Sequence, residues 1–340
     1  MNTPDIEWEK IGFNYIATDY NIRCHFKNGA WGELRVCNSP EINISIASSC
    51  LHYGQEVFEG IKAFRGHDGQ VRIFRLDDNA QRMQESCRGL VMPALPTELF
   101  TEAVKQAVKL NERFIPPYES GATLYIRPLM IGVGAMLGVR PAEEYEFIVF
   151  VSPVSSYFKN GFCATKAGIL RGYDRSAPLG TGCYKVGGNY ASGMKAGVRI
   201  HELGYPSIIY LDPKEKKYID ECGAANFFGI KGDTYITPKS HSILPSITNK
   251  SLMQLSLDFG WKVEQRPIPV EEIATFDEAA ACGTAAVVAP ISQIDDIDTG
   301  QSYIIAKNGQ PGPKCTMLYN RLRDIQYGRT DDIHRWTTIV

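Results

Sequence analysis

Residues 97–114, "TELFTEAVKQAVKLNERF", carry Leu99, Ala103, Val104, Ala107 and Val108 at the three- and four-residue spacing of a single helix face. This spacing predicts an amphipathic helix with Thr97 as its N-cap. "LDDNAQRMQESCRGL" (76–90) predicts a second helix, and "QVRIFRL" (70–76), "ATLYIRPLMIG" (122–132) and "EYEFIVFVSP" (144–153) read as strands. The first half is therefore expected to be a helix-and-sheet domain. In "LRGYDRSAPLGTGCYKVGG" (170–188) the periodicity is lost and Ser, Pro and Gly accumulate, as between domains. Further on, "SIIYLD", "KYIDECG", "NFFGIKGDTYITP" and "WKVEQRPI" read as strands, with turns at "PKEK" and "KGD". A helix is expected from Thr248, with Leu252, Leu255 and Phe259 on one side and Gly260 closing it. Neither internal repeats nor low-complexity segments occur.

At 340 residues the chain exceeds the size at which one hydrophobic core stops growing. Two domains are expected: residues 1–154, a connection over 155–164, and residues 165–340. A formal charge of -2 without any Lys/Arg block gives no field that would attract nucleic acid. The start, "MNTPDIEWEK", lacks the apolar core of a signal peptide and no later run is long enough to span a bilayer, so a cytoplasmic location is expected. Nine cysteines with no C-x-x-C pair or His/Cys cluster read as reduced thiols, with no metal site.

Two glycine-rich stretches fail as phosphate loops. "GVGAMLG" (132–138) has Leu137 where a dinucleotide fingerprint needs its third glycine, and in "GNYASGMK" Met194 separates Gly193 from Lys195. A looser constellation remains. Lys185 precedes Gly187, Gly188 and Asn189, the last a candidate N-cap for a helix presenting Tyr190, Met194 and Val198 on one face. Glu221 ends a strand just before Gly223, Ile247 and Thr248 open a helix whose free N–H groups favour an anion, and Gly283 and Thr284 form a small-residue turn. Taken one at a time, each has a plainer explanation: a solvated lysine, a strand-end acid, a capped helix, a core tyrosine. Composition and periodicity leave a soluble α/β-type enzyme of unspecified reaction.

The ordered motifs "LHYGQEVFEGIKAFRG", "LYIRPLMIG", "YKVGGNYASG", "DECGAANFFGI", "LPSITNKSL" and "CGTAAVVAPI" resemble the branched-chain amino acid aminotransferases, from about residue 10 to beyond 325. The resemblance implies a two-domain α+β fold of the D-amino-acid-aminotransferase-like kind, pyridoxal 5′-phosphate (PLP) fold type IV, with a small N-terminal domain and a larger C-terminal pseudo-barrel. It implies that Lys185 joins its amine to the cofactor aldehyde and then shuttles a proton, that Glu221 keeps the pyridine nitrogen protonated, and that Tyr190 bonds the phenolic oxygen. Arg82, Ile247, Thr248, Gly283 and Thr284 would hold the phosphate side. Tyr53, Phe58, Tyr125, Arg127, Tyr157, Thr284 and Ala285 would form the substrate pocket, with Leu137 and Val139 reaching over from a neighbouring subunit of a homodimer. The activity implied is reversible transfer of the amino group of L-leucine, L-isoleucine or L-valine to 2-oxoglutarate. D-amino acid transamination, aminodeoxychorismate lysis and a non-catalytic vitamin B6 carrier are the alternatives on the same scaffold. The chain departs from the family pattern at Ser246 and Asn249, where relatives often carry Gly and Arg, at Ala224, and at Ala286 and Ala289, which occupy the C-x-x-C of animal members.

Overall fold

The computed structural model describes residues 4, 6–8, 10–155, 162–306 and 308–340. Tyr157 and most of the expected connection lie outside the described residues. The chain forms two compact units: unit 1 comprises Met1–Tyr157, Tyr184–Gly187 and Asp324–Val340, and unit 2 comprises Phe158–Cys183 and Gly188–Arg323. The chain thus returns to unit 1 twice after leaving it, which the linear division at 154 and 165 does not include.

In unit 1 the strands are β1 (Asn21–Lys27), β2 (Ala30–Trp31), β3 (Arg35–Cys37), β4 (Glu56–Phe58), β5 (Ile61–Arg65), β6 (Val71–Phe74), β7 (Thr123–Gly132) and β8 (Tyr145–Val154). With the late strand Thr337–Ile339 they make an antiparallel sheet in the order Thr337–Ile339, β6, β5, β7, β8, β1, β2. The late strand enters because Thr337, Thr338 and Ile339 pair with Phe74, Ile73 and Arg72. β4 and β5 run along β7 in one register, Phe58 opposite Leu129 and Ile61 opposite Ile126.

Helices α1 (Ser49–Tyr53), α2 (Leu76–Gly89) and α3 (Thr97–Leu110) belong to the same unit. Leu76, Ala80 and Met83 of α2 and Phe100, Val104 and Val108 of α3 share one core with Val57, Ile61, Leu124, Ile126, Phe147 and Val149. Because a strand alternates its side chains, β7 gives Leu124, Ile126 and Met130 to that core and turns Tyr125, Arg127 and Leu129 to the opposite face. Two details of α3 differ from the sequence expectation. The N-cap is Pro96, with Thr97 already helical, and the buried stripe is centred on Phe100, while Leu99 lies at its flank. Phe100 completes the i, i+3, i+4, i+7, i+8 stripe, and burying its larger ring decides the helix rotation.

Unit 2 is built on β9 (Thr165–Ile169), β10 (Ser207–Leu211), β11 (Ile219–Cys222), β12 (Ala225–Lys231), β13 (Thr234–Thr237), β14 (Lys262–Gln265), β15 (Glu278–Gly283), β16 (Val287–Asp296) and β17 (Gln301–Ile304). The order β11, β10, β9, β16, β15, β12 closes on itself because β11 also pairs with β12, giving a six-stranded barrel with β13 and β14 continuing from β12. Ala167, Ile209, Leu211, Phe227, Ala279, Ala281 and Ile291 form its shared core, where small side chains suit a narrow barrel. Helices α4 (Gly187–Ala191), α5 (Met194–Glu202), α6 (Ile247–Asp258) and α7 (Pro313–Gln326) complete the chain. Ile208 and Tyr210 of β10 pack on Ala196 and Ile200 of α5. Asn189 is not an N-cap: the helix opens two residues earlier, and Asn189 is buried against Thr181 through bonds of 2.7 Å. Met194 and Val198 consequently fall on a separate short helix and are exposed.

Candidate active site

The first group of site residues belongs wholly to unit 1 and is organised by β4. The Lys185 carbonyl accepts from Phe58 N–H at 3.1 Å, and Lys185 N–H donates to Ser86 Oγ of α2 at 2.9 Å. Val186 is buried in the unit 1 core, and a Cβ at Gly187 would displace the Glu56 carboxylate from its place beside the Gly187 N–H. The lysine is therefore held by its backbone on both sides. Its Nζ stands 4.7 Å from the centre of the Phe58 ring, and the Arg127 guanidinium lies the same distance from that ring. Burial, together with the positive charges of Arg82 and Arg127, brings the Lys185 pKa down to about 8, against the pull of Glu59 and Tyr125. A lysine in that range presents a substantial fraction of neutral, nucleophilic amine near neutral pH.

Arg82 is oriented by Glu59, a fully buried acid on the core side of the strand line, through bonds of 2.8 Å from Nε and 2.7 Å from Nη2. Arg127 Nη2 donates to the Tyr125 hydroxyl at 3.1 Å, whereas its Nε is buried and finds no hydrogen-bond partner among the described residues. A buried guanidinium donor in that condition is matched by an incoming carboxylate. Glu56 also faces this group, with its pKa raised by burial, in part offset by the Gly187 N–H and Arg127. Tyr53 hydroxyl donates to the Leu137 carbonyl, which ties α1 to the β7–β8 loop, and the side chains of Leu137 and Val139 are exposed at 88% and 84%.

The second group belongs to unit 2 and lies on the barrel. Glu221 on β11 is buried, and its Oε1 accepts from Leu244 N–H at 2.5 Å and from Arg175 Nη2 at 2.9 Å. Helix α6 opens at Ile247, one residue before the expected start, with Ser246 as N-cap accepting from Asn249 N–H at 3.1 Å. The serine at the family's glycine position thus supplies the cap. Asn249 is buried as well, accepting from Tyr235 at 2.6 Å and donating to Thr237 at 2.9 Å, so a neutral link replaces the family's arginine. Ile247 and Thr248 are buried in the first turn. Thr284, Ala285 and Ala286 form the turn between Gly283, the last residue of β15, and Val287, which opens β16 with φ of 66°. A β-branched residue in the left-handed region costs roughly 1–3 kcal/mol and marks a turn held under constraint. Tyr190 is partly buried on α4.

In unit 1, Lys185 and Arg127 meet at the Phe58 ring, Tyr125 bonds Arg127, and the Arg82 charge acts on Lys185; Glu221, Ile247, Thr248, Gly283, Thr284 and Ala285 are placed on the barrel of unit 2 and on the helix and turn that adjoin its strands. Tyr157 lies outside the described residues. Sequence reasoning missed Glu59, Ser86, Glu56 and Arg175. Glu59 and Glu56 sit inside the quoted motif "HYGQEVFEG", where strand alternation would have separated the core side from the site side. Arg175 sits in a Ser/Pro/Gly-rich stretch that carries no periodic signal.

Each donor set by itself suits one part of a phosphorylated pyridine aldehyde: in unit 1 a lysine amine of lowered pKa that can join an aldehyde, and in unit 2 a buried, fixed carboxylate that can face a ring nitrogen and a helix first turn with a hydroxyl that can meet a phosphate. The amino-transferase class IV family model matches residues 56–294. The chain is 45% identical to a branched-chain-amino-acid aminotransferase of Helicobacter pylori over 340 residues, 98% of each chain. It is 44% identical over 343 residues to a branched-chain-amino-acid aminotransferase of Haemophilus influenzae, covering 99% of each chain. The Escherichia coli branched-chain amino acid aminotransferase structure superposes with a TM-score of 0.79 at 25% identity, covering 94% of this chain and 98% of that one. The fold is accordingly the two-domain α+β arrangement of PLP fold type IV. With the geometry and these matches in agreement, the chain belongs to the amino-transferase class IV family.

Proposed function

We propose that the protein reversibly transfers the amino group of L-leucine, L-isoleucine or L-valine to 2-oxoglutarate, with pyridoxal 5′-phosphate as cofactor. The observation that carries this reading is Lys185, clamped by its backbone and placed where burial, and then the like charges of Arg82 and Arg127, lower its pKa to about 8. When bound, the cofactor supplies an electron sink for the charge left at the substrate Cα. Lys185 takes and returns the proton there. Glu221 holds a proton at the ring nitrogen, and Tyr190 bonds the phenolic oxygen. Arg82, the first turn of α6 at Ile247 and Thr248, and the Gly283–Thr284 turn hold the phosphate.

Phe58 and Tyr125 offer an apolar wall to a branched side chain, and the buried Arg127 Nε offers a donor to the distal carboxylate of the dicarboxylic partner. Tyr53, Tyr157, Thr284 and Ala285 are the further substrate contacts in this reading. The exposed Leu137 and Val139 side chains belong to a loop that serves a second copy in a cytoplasmic homodimer. No helix among the described residues is long and apolar enough to cross a membrane.

The test is direct. The cofactor-loaded protein, given L-leucine and 2-oxoglutarate, should accumulate L-glutamate, and D-alanine should not replace L-leucine. A loaded sample that makes no glutamate overturns the assignment, and a preference for D-alanine transfers it to the D-amino acid branch.

A further inference from the structure

One nitrogen of Arg175 connects three parts of unit 2. The two hydrogens of Nη2 are shared among three acceptors, the Gly182 carbonyl at 2.7 Å, the Ser242 carbonyl at 2.7 Å and Glu221 Oε1 at 2.9 Å. Gly182 ends the loop that runs into Cys183, and Ser242 lies in the segment that delivers Leu244 N–H to the same carboxylate oxygen and then enters α6. The arginine side chain is only 10% exposed and that of Glu221 5%. Two neutral carbonyls fix the guanidinium independently of the charge it faces.

The Ser242 anchor is itself held from behind. Asp220, the buried neighbour of Glu221 on β11, accepts from Ser240 Oγ at 3.0 Å and from Ser242 Oγ, and the two hydroxyls lie 2.7 Å apart. A guanidinium so placed is not a surface ion pair that solvent would screen. It is a fixed cation against a desolvated carboxylate, and such a carboxylate without a cation tends to take up a proton and become neutral.

We infer that Arg175 is the positioning residue that keeps Glu221 ionised and aimed, and so keeps the pyridine nitrogen of the cofactor protonated; this rests on the reading of Glu221 as the partner of that nitrogen. A proton shared by a carboxylate and a pyridine stays on nitrogen only while the carboxylate is the weaker base. Arg175 weakens that base through a direct charge-assisted bond, and it is bonded to the carboxylate, not to the ring. Without it the proton returns to the acid, the ring becomes neutral, and the pair loses its charge-assisted bond.

The full chain reconstituted with PLP labelled with ¹⁵N in the ring tests this, because the nitrogen resonance reports ring protonation without reference to turnover. The second readout is the dissociation constant of PLP from the apoprotein. Arg175→Gln should move the resonance towards unprotonated pyridine and weaken cofactor binding about tenfold or more. Arg175→Lys should recover part of both, with a ring titration midpoint below that of the unaltered protein. If Glu221→Gln moves the resonance and a folded Arg175→Gln does not, Arg175 merely stitches loops and the inference is overturned while the reading of Glu221 stands. A resonance unmoved in Glu221→Gln overturns that reading and the inference with it. Should Arg175→Gln fail to fold, Arg175→Lys decides alone: a ring titration midpoint equal to the unaltered one refutes the inference.

Discussion

The surroundings of Lys185 and those of Glu221 use arginine in opposite ways. Around Lys185, where burial does most to make the ammonium costly, Arg82 and Arg127 are like charges that add to that cost. Around Glu221, Arg175 is the opposite charge, and with the Leu244 N–H it makes the carboxylate comfortable and immobile. One group is tuned by discomfort and the other by satisfaction. In the roles proposed above, the group that would form and break a bond is the destabilised one, and the group that would only hold a proton in place is the one given partners.

The contrast can be broken most sharply at the lysine. Lys185→Ala should lower transamination by about 10⁴-fold and abolish the visible absorption of the lysine-linked cofactor, with an unchanged far-ultraviolet circular dichroism spectrum. Retention of that absorption would assign the anchor to another lysine. Glu221→Gln is expected to cost less, roughly 10²- to 10³-fold in turnover, because the amide oxygen can still accept from Leu244 N–H while the charge is gone. If the glutamine variant matched the alanine variant in severity, the division between a reacting group and a holding group would fail.

Arg127 sharpens the comparison on the substrate side. Arg127→Met should raise the KM for 2-oxoglutarate about 10- to 100-fold, the loss of a hydrogen bond to a charged group, and change the KM for L-leucine far less. Equal losses for both substrates would mean that the residue shapes the whole pocket. The smallest effect concerns pH. Since only the neutral amine attacks the aldehyde, capture of PLP by apoprotein should rise with pH about tenfold per unit below about 8 and level off above it. A profile still climbing at pH 10 would show that the like-charge crowding does not act on Lys185.

These expectations also indicate what was legible in the chain. α2, α3, β7 and β8 follow from periodicity because each is long and amphipathic, whereas Lys185 and Glu221 stand out only through the family resemblance of the motifs that carry them. β1 and the late strand Thr337–Ile339 do not, since the first pairs with β8 across more than a hundred residues and the second is three residues long. Leu99 was placed on the α3 stripe and Asn189 at a cap by local rules; Phe100 prevailed by burial, and Asn189 by its bonds to Thr181. Arg175 carries no periodic signal, and Glu59 only the side of the strand on which it falls. What makes each matter is a partner brought beside it by the fold, 46 residues away for Arg175 and 23 for Glu59.

The pairing of Thr337–Ile339 with β6 has a consequence for biosynthesis. The outer edge of the unit 1 sheet stays open until a segment that follows every strand of the barrel in the chain has left the ribosome. Most of unit 2, by contrast, is one continuous stretch, Gly188–Arg323, that can collapse as it emerges. The later-made unit is therefore the one able to mature first, while the earlier-made one waits with an unpaired strand flank, and that interval is when the nascent protein most needs shielding from its neighbours.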